Sequence, residues 1–325
     1  MKDSSDRAMT KAKRNFFAVA LILISVIAVE AALRFAGTVY LKRLYVHTER
    51  SYIDPNKTNI VCLGESSTAG LDLPWQDSYP AQLNVMLKKE YPGKNIQVIV
   101  PPHVGQNTSQ VANRIEQYIE LYSPRLVVLM VGFNNEWSLT ESHIPKFLKS
   151  NNAEILKVKI LCFLDGLRTF KVLRYFYLKY VVREKSDYVN GLREARYVWG
   201  GPELTRWPPK KWVYSFAHEH QEAFIGLWRD DVQKIISAVQ RNNIKIVLMT
   251  YHINPDYLAA EEFISMADRN NIPLVRNDKT FQPLINNRTI GYFLLRDQWH
   301  PNKLGYSLIV ENVFRVIKDR RLLEK

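Results

Sequence analysis

The chain has 325 residues, of which 46% are hydrophobic and 24% charged, so it can form one large globular domain with appendages. It has no repeat at the period of solenoids or propellers and no long low-complexity stretch, which excludes those classes. The formal net charge is +13, compatible with nucleic acid, an anionic membrane surface or an acidic substrate as a partner.

The first predicted element is an apolar helix near the N-terminus. The sequence FFAVALILISVIAVEAALRFAG follows a basic segment, MKDSSDRAMTKAKR, and is about one bilayer crossing long. We therefore predict a basic cytoplasmic tail over 1–14 and a transmembrane signal anchor over 15–37. The rest of this single-pass protein is then extracytoplasmic, on the periplasmic side in a bacterium. Two alternatives stay open: a cleaved signal peptide with its site at Val29-Glu30-Ala31, or a buried helix of a soluble protein.

After a linker predicted over 38–58, apolar strands alternate with helices. The predicted strands are NIVCLG (59–64), IQVIV (96–100), RLVVLMVG (125–132), IKIVLMTY (244–251) and IPLVR (272–276). The predicted helices cover 79–91, 108–122 (capped by Thr108), 220–243, 257–271 and a final stretch near 303–321. Continuous apolar strands predict a parallel sheet with helices on both faces, and therefore a three-layer α/β/α sandwich.

A basic, aromatic-rich insertion separates the third and fourth predicted strands, at about 143–218. Between Lys146 and Lys211 it carries 15 lysines and arginines against six acidic residues, an excess of +9, together with several tyrosines and tryptophans. Such a surface suits single-stranded nucleic acid or a membrane interface. No zinc-finger, RNA-recognition or helix-turn-helix pattern is present, so no nucleic-acid partner is predicted. The insertion is either a solvated basic surface or a cap that faces a membrane or an anionic polymer.

Small or polar residues follow the predicted strands, at the carboxyl ends where open parallel sheets bind ligands. They lie in the segments GESSTAG (64–70), HVGQNT (103–108), GFNNE (132–136), YH (251–252) and, before the last helix, DQWHPN (297–302). Because these strand ends share one edge of the sheet, we expect the segments to form one site.

In order and spacing, the segments GESSTAG, VGQNTSQ, GFNNE and DQWHPN are similar to the four motifs of the SGNH hydrolase superfamily, also called GDSL-type esterases. The resemblance covers roughly residues 59–136 and 219–320, and it implies a mainly parallel, flavodoxin-like sheet. The site residues that it implies are Ser66 as nucleophile, Asp297 and His300 as its partners, and Ser66, Gly105 and Asn134 as oxyanion donors.

Acyl-transfer chemistry explains these residue types. A serine hydroxyl needs a base at neutral pH, and His300 is suited to this role because imidazole titrates near the working pH. Asp297 would fix the tautomer of His300 and stabilise the imidazolium. Ser67 is the competing nucleophile, or else a cap of the following helix. Two positions depart from the family pattern: Glu65 replaces an Asp and is expected to hydrogen-bond the turn, and Asn135 replaces a second Asp.

These features predict a membrane-anchored serine esterase that cleaves acyl esters of envelope lipids or glycans. One alternative is an O-acyltransferase that passes the acyl group to a cell-envelope polysaccharide; another is a catalytically silent envelope scaffold. Three histidines could instead converge with Asp297 on a metal ion: His103, His252 and His300. No ligand spacing supports such a centre, so neither a metal nor a cofactor is predicted. Three tryptophans flank the motifs, either in the core or as an acyl or sugar platform: Trp75, Trp137 and Trp299.

Overall fold

The computed structural model describes residues 3–48, 54, 56–70, 73–101, 106–177, 180, 210–253, 260–297 and 299–324. The chain divides into two compact units. Met1–Tyr52 and Phe163–Lys185 form the N-terminal unit, and Ile53–Cys162 and Ser186–Lys325 form the sheet unit. The predicted site residue Gly105, with His103 and residues 181–209 of the insertion, lies outside the described residues.

Strands and helices alternate through most of the described chain. The strands are β1 (Thr58–Gly64), β2 (Ile96–Ile99), β3 (Leu126–Met130), β4 (Lys245–Met249) and β5 (Leu274–Val275). The helices are α1 (Asp3–Thr48), α2 (Ser66–Ala69), α3 (Tyr79–Glu90), α4 (Thr108–Tyr122), α5 (Ala153–Asp165), α6 (Arg168–Phe176), α7 (Lys210–Glu219), α8 (Gln221–Arg241), α9 (Ala260–Arg269), α10 (Asn277–Asn286) and α11 (Lys303–Asp319). Short 3₁₀ helices cover Trp75–Asp77, Phe133–Glu136, Ile144–Lys146 and Ile290–Phe293.

The N-terminal unit contains one long helix, α1, in which Lys13–Gly37 is long and apolar enough to cross a membrane. The most apolar part of this stretch has a mean hydropathy of 2.7, and none of it is buried inside the protein. A signal sequence near the N-terminus would meet the same description. The helix continues to Thr48, so residues 38–48, predicted as the start of a linker, are helical. No Gly or Pro interrupts the helix over those residues.

The sheet unit contains a five-stranded parallel sheet in the order β2-β1-β3-β4-β5. This is the flavodoxin-like order, so the predicted fold class is confirmed. In the register of the sheet, Ile60 on β1 pairs with Val98 on β2 and with Leu126 on β3. All five residues of β3 are buried, which explains why its sequence is continuously apolar rather than alternating.

Helices cover both faces of the sheet because its crossovers run in both directions, and crossovers between parallel strands are right-handed as a rule. The connection from β1 to β2 moves toward one edge and carries α3. The connections from β2 to β3 and from β3 to β4 move toward the other edge and carry α4 and α8. Accordingly, α3 packs against α11 and α4 packs against α8.

Local details differ from the sequence prediction at α4 and in the insertion. Asn107, not Thr108, caps α4: its side chain accepts the N–H of Gln110, whose side chain in turn accepts the N–H of Asn107. In the insertion, Val158 of α5 and Phe216 of α7 are buried in a second apolar cluster of the sheet unit. Each of α5 and α7 therefore packs one face against this cluster, and the two interpretations of the insertion, a solvated basic surface or a cap, both stay predictions.

Candidate active site

The turn between β1 and α2 places Ser66 at the carboxyl edge of the sheet. β1 ends on Gly64, where a Cβ atom would lie 2.5 Å from the backbone oxygen of Met130, so a side chain there would displace a central strand. Ser66 is the first residue of α2 and is only 6% exposed. Gly70 ends this helix with φ +75°, the left-handed conformation that glycine favours.

Ser66 and His300 are 234 residues apart in sequence and touch in the structure. The Ser66 Oγ atom lies 2.7 Å from Nε2 of His300. Nδ1 of the same ring is hydrogen-bonded to the carboxylate of Asp297. Three predicted site residues thus form one hydrogen-bonded chain. Ser67, the competing nucleophile, is the second residue of α2, and its backbone carbonyl accepts the hydroxyl of Tyr306 at 2.9 Å.

The loop before α11, which we call the histidine loop (294–302), fixes the His300 ring. Oδ1 of Asp297 accepts the backbone N–H groups of Trp299 at 2.9 Å and of His300 at 3.0 Å. The carbonyl of His300 accepts the N–H of Leu295 at 2.7 Å, and Asn302 caps α11 with its side chain. One carboxylate therefore holds both the ring and the backbone of the histidine three residues later.

The charge on Asp297 suits a role beside an imidazolium. Partial burial alone would raise the pKa of Asp297, but hydrogen bonds from the His300 ring and from two backbone amides outweigh that effect and lower the pKa. A carboxylate that stays ionised can both orient the imidazole and stabilise its protonated form.

Asn134 contributes a donor that the rest of the described structure leaves unused. The residue is buried in the 3₁₀ helix after β3, and its side-chain Nδ2 has no hydrogen-bond partner among the described residues. A buried amide N–H without a partner costs free energy unless a ligand supplies an acceptor. Its backbone N–H donates to Glu65, the neighbour of Ser66, at 3.1 Å, so the two turns are joined.

Glu65 is the centre of that connection. Its other carboxyl oxygen is hydrogen-bonded to the hydroxyl of Tyr251, which also accepts the N–H of Phe133 at 3.3 Å. Burial raises the pKa of Glu65 to about 8, and the hydrogen bonds from Tyr251 and from the backbone of Asn134 and Phe133 only partly offset that effect. Glu65 is therefore largely protonated at neutral pH and acts as a neutral link between strand ends.

A second buried network holds the loop that carries Asn134. Oδ1 of Asn135 accepts the backbone N–H of Thr108 at 2.9 Å. The hydroxyl groups of Thr108 and Ser109 donate to Asp231, a fully buried residue of α8, at 2.9 and 2.6 Å. Asp231 also lies 2.6 Å from Nδ1 of His143. The loop that carries the Asn134 amide is thus tied to α4 and α8.

His252 supports the histidine loop. It is buried, and its Nε2 donates to the carbonyl of Trp299 at 2.9 Å. Burial lowers its pKa to about 4, so the ring is neutral at the working pH. His103, the third histidine of the alternative metal interpretation, lies outside the described residues.

Aromatic rings continue from the site toward α7. We call Trp299, Phe133, Trp137 and Tyr214 the aromatic row. The ring centroid of Phe133 lies 5.8 Å from that of Trp299 and 6.4 Å from that of Trp137. Trp137 stacks on Tyr214, with 4.6 Å between the ring centroids. Trp299 is exposed and the other three are half-buried. Such exposure favours a substrate platform over core packing for Trp299.

Sequence reasoning missed two residues that organise the site. Tyr251 lies two positions after the end of β4, so its place near the strand end was visible, but nothing in the sequence pairs it with Glu65, 186 residues away. Asp231 lies within the α8 pattern as one more charged helix residue, and no local signal marks it as buried.

The comparisons with known proteins come from solved structures. No protein-family model matches the chain, and no curated protein matches it. The chain is similar to the psychrotrophic esterase EstA from Pseudoalteromonas sp. at 15% identity and a TM-score of 0.46, with 81% of this chain and 98% of that chain covered. It is also similar to Axe2, an acetyl-xylooligosaccharide esterase from Geobacillus Stearmophilus, at 14% identity and a TM-score of 0.46, with 80% and 94% covered. Likenesses this distant do not transfer an activity, so the functional proposal depends on the geometry of the site.

Proposed function

We propose that the protein is a membrane-anchored serine hydrolase, similar to SGNH-type esterases, that cleaves acyl esters of envelope lipids or glycans. The observation that carries the proposal is the hydrogen-bonded chain from Ser66 through His300 to Asp297. The apolar Lys13–Gly37 stretch of α1 supports the anchor, with the sheet unit on the extracytoplasmic side.

In the proposed acylation step, Nε2 of His300 takes the proton of Ser66 as Oγ bonds to the acyl carbon. The carbonyl electron pair moves to oxygen and forms an oxyanion. When that pair returns, the ester C–O bond breaks and the alcohol leaves with the proton from His300. Asp297 stabilises the imidazolium between the two transfers.

In the second step, water attacks the acyl-enzyme and gives its proton to His300. The acid is released and Ser66 recovers its proton. A sugar hydroxyl in place of water would transfer the acyl group instead, so the same residues serve the acyltransferase alternative. The silent-scaffold alternative does not explain why Ser66 and His300 are hydrogen-bonded to each other.

The oxyanion would be stabilised by donors on two strand ends. The free side-chain N–H of Asn134 and the backbone N–H of Ser66 are the candidates in the described residues. The backbone N–H of Gly105 is the third candidate, from the sequence resemblance. Fixed donors of this kind need no reorganisation as charge develops, which is the source of their catalytic effect.

The test uses the full chain in detergent with p-nitrophenyl esters of short and long acyl chains, with and without a soluble sugar acceptor. We expect release of p-nitrophenol by the wild type, loss of it in Ser66→Ala, and retention in the matched neighbour variant Ser67→Ala. Mass spectrometry of the acceptor separates hydrolysis from transfer. Equal turnover by wild type and Ser66→Ala would refute the proposal, and an acylated sugar without free acid would favour the transferase.

A further inference from the structure

The membrane-spanning stretch of α1 contains a single acidic residue, Glu30. Gly37, the end of the stretch, is seven positions further along the helix, which places Glu30 about 10 Å inside that end. An ionised carboxyl group at such a depth is costly unless it is paired, and pairing usually marks a function. The partners of Glu30 therefore decide what this part of the chain does.

Glu30 binds the beginning of α6 within the N-terminal unit. Its carboxylate accepts the backbone N–H of Arg168 at 3.0 Å, and the N–H and hydroxyl of Thr169 at 2.9 and 3.0 Å. Arg34, one turn along α1, pairs with Glu30 at 2.7 Å and donates to the carbonyl of Gly166 at 2.8 Å. The residue before α6, Leu167, makes no side-chain cap, so Glu30 supplies the missing cap from another helix.

The sequence of α6, RTFKVLRYF, separates into a basic and an apolar face. Its cations recur every third residue, at Arg168, Lys171 and Arg174, and it contains no acidic residue. Several apolar side chains stand open to solvent although α6 is part of a folded unit: Leu173 is 67% exposed, and Val172, Phe176 and the following Tyr177 are exposed as well. A basic face opposite an apolar face with aromatic residues is the pattern of helices that lie in a membrane interface.

We infer that α6 is an interfacial membrane helix, held by Glu30 beside the outer end of the spanning stretch Lys13–Gly37, with its apolar face among lipid chains and its cations on anionic headgroups. The inference rests on the proposed role of α1 as a membrane anchor. Three observations select lipid as the occupant: α6 is fixed to the spanning helix, its cap lies at a depth within reach of the headgroup boundary, and its charges are all positive.

A depth measurement on the full chain tests the inference. The chain is reconstituted in vesicles of phosphatidylcholine and phosphatidylglycerol, with Cys162→Ser as background because Cys62 is fully buried. An environment-sensitive label is placed at Leu173→Cys, at Val26→Cys in the span, or at Leu304→Cys, another exposed leucine, in α11. We expect doxyl-labelled lipid to quench the Val26 and Leu173 labels several-fold more than the Leu304 label.

The outcomes separate the interfacial position of α6 from the membrane anchor on which it rests. Quenching at Val26 but only Leu304-like quenching at Leu173 would overturn the interfacial helix and leave the anchor intact. Failure to quench Val26 would refute the anchor and the inference with it. A Leu173 label shielded from both lipid and aqueous quenchers would mean that protein covers α6, which also overturns the inference.

Two variants test the contacts that carry the inference. Glu30→Ala removes the cap of α6 and is expected to lower quenching at Leu173 at least several-fold, with quenching at Val26 kept. Lys171→Glu with Arg174→Glu is expected to abolish the gain in quenching that phosphatidylglycerol gives. The matched control, Lys88→Glu with Lys89→Glu on the exposed end of α3, should keep that gain. No change in either test variant would contradict the arrangement.

Discussion

The candidate site has two sides, and two of its carboxyl groups, one on each side, lie in opposite environments. On the turn that carries Ser66, the side chain of Glu65 is 1% exposed, and burial raises its pKa to about 8. On the histidine loop, the side chain of Asp297 is 40% exposed, and its hydrogen bonds lower its pKa. One side of the site is therefore held together by a neutral, buried carboxyl group, and the other keeps a charged one.

This division fits the two requirements of the proposed reaction. Oxyanion donors must not move as charge develops, and the neutral Glu65 fixes the backbone of Asn134 without placing a negative charge beside the oxyanion. The histidine must gain and lose a proton, and the ionised Asp297 stabilises the gain. Exchanging the two environments would place a charge beside the oxyanion and remove the charge that stabilises the protonated histidine.

The most damaging test of the comparison removes the charge from Asp297. Asp297→Asn is expected to lower kcat by about 10⁴-fold, since an amide cannot stabilise the imidazolium and can select the wrong tautomer of His300. Steady-state ester hydrolysis at neutral pH measures the effect. Asp278→Asn, which alters another partly buried carboxylate with a lowered pKa, is the matched control. A loss below tenfold at Asp297 would show that its charge is unimportant.

The rigid side is tested next at Asn134. Asn134→Ala removes one oxyanion donor, and we expect kcat to fall by about 10²- to 10³-fold with KM little changed. Asn286→Ala, at the exposed end of α10, controls for loss of an asparagine amide. A rise in KM with kcat unchanged would assign Asn134 to substrate binding instead.

A smaller effect is expected at Glu65, where the charge should be dispensable and the hydrogen bonds should not. Glu65→Gln can still accept the N–H of Asn134 and donate to Tyr251, so kcat should stay within a few-fold of wild type. Glu65→Ala loses both bonds and should lower kcat by about 10- to 100-fold. Equal activity of the two variants in ester hydrolysis would contradict this role.

Glu65 also predicts a pH dependence of stability. Because its folded pKa is raised, its contribution is complete below the unfolded pKa near 4.5 and is lost as pH rises through about 8. For this group alone, the free energy of unfolding obtained from thermal melts should therefore fall as the pH rises from 5 to 8, by at most about 1.4 kcal/mol per pH unit. Since His252, with its lowered pKa, contributes the opposite slope below about pH 6.5 in both proteins, the wild type is compared with Glu65→Gln. Glu65→Gln should flatten that slope. An unchanged slope in the variant would mean that Glu65 does not titrate in this range.

The smallest effect is expected in the aromatic row. Trp299→Ala should raise KM by about fivefold through loss of roughly 1 kcal/mol of ring contact with the substrate. Trp75→Ala, which removes an exposed tryptophan from the 3₁₀ helix Trp75–Asp77, is the control. Equal KM values for the two variants would return Trp299 to a structural role.

Much of the fold could be predicted from the sequence because strands that are buried on both faces consist almost entirely of apolar residues. β1 and β3 are buried on both faces, so their apolar runs identified them. β5 contains only two residues, and α10 has an internal Pro283 and few apolar residues, so local pattern gave little or no signal for their bounds. Short elements take their structure from tertiary packing.

The site could be predicted where it lies in contiguous motifs and not where it depends on distant pairs. Ser66, Asn134 and His300 stand in short segments with recognisable spacing. The pairing of Glu65 with Tyr251 requires two strand ends to meet, and no local rule predicts it. In the sequence, Glu30 is an acidic residue within an apolar stretch, and its hydrogen bond to Thr169 is visible only in the structure.

The most direct test of the central claim is covalent labelling by a serine-reactive phosphonate, followed by peptide mapping. The account predicts one adduct on Ser66 in the wild type, no adduct in Ser66→Ala, and strongly slowed labelling in His300→Ala because the base is lost. An adduct on Ser67, or equal labelling of wild type and Ser66→Ala, would contradict it.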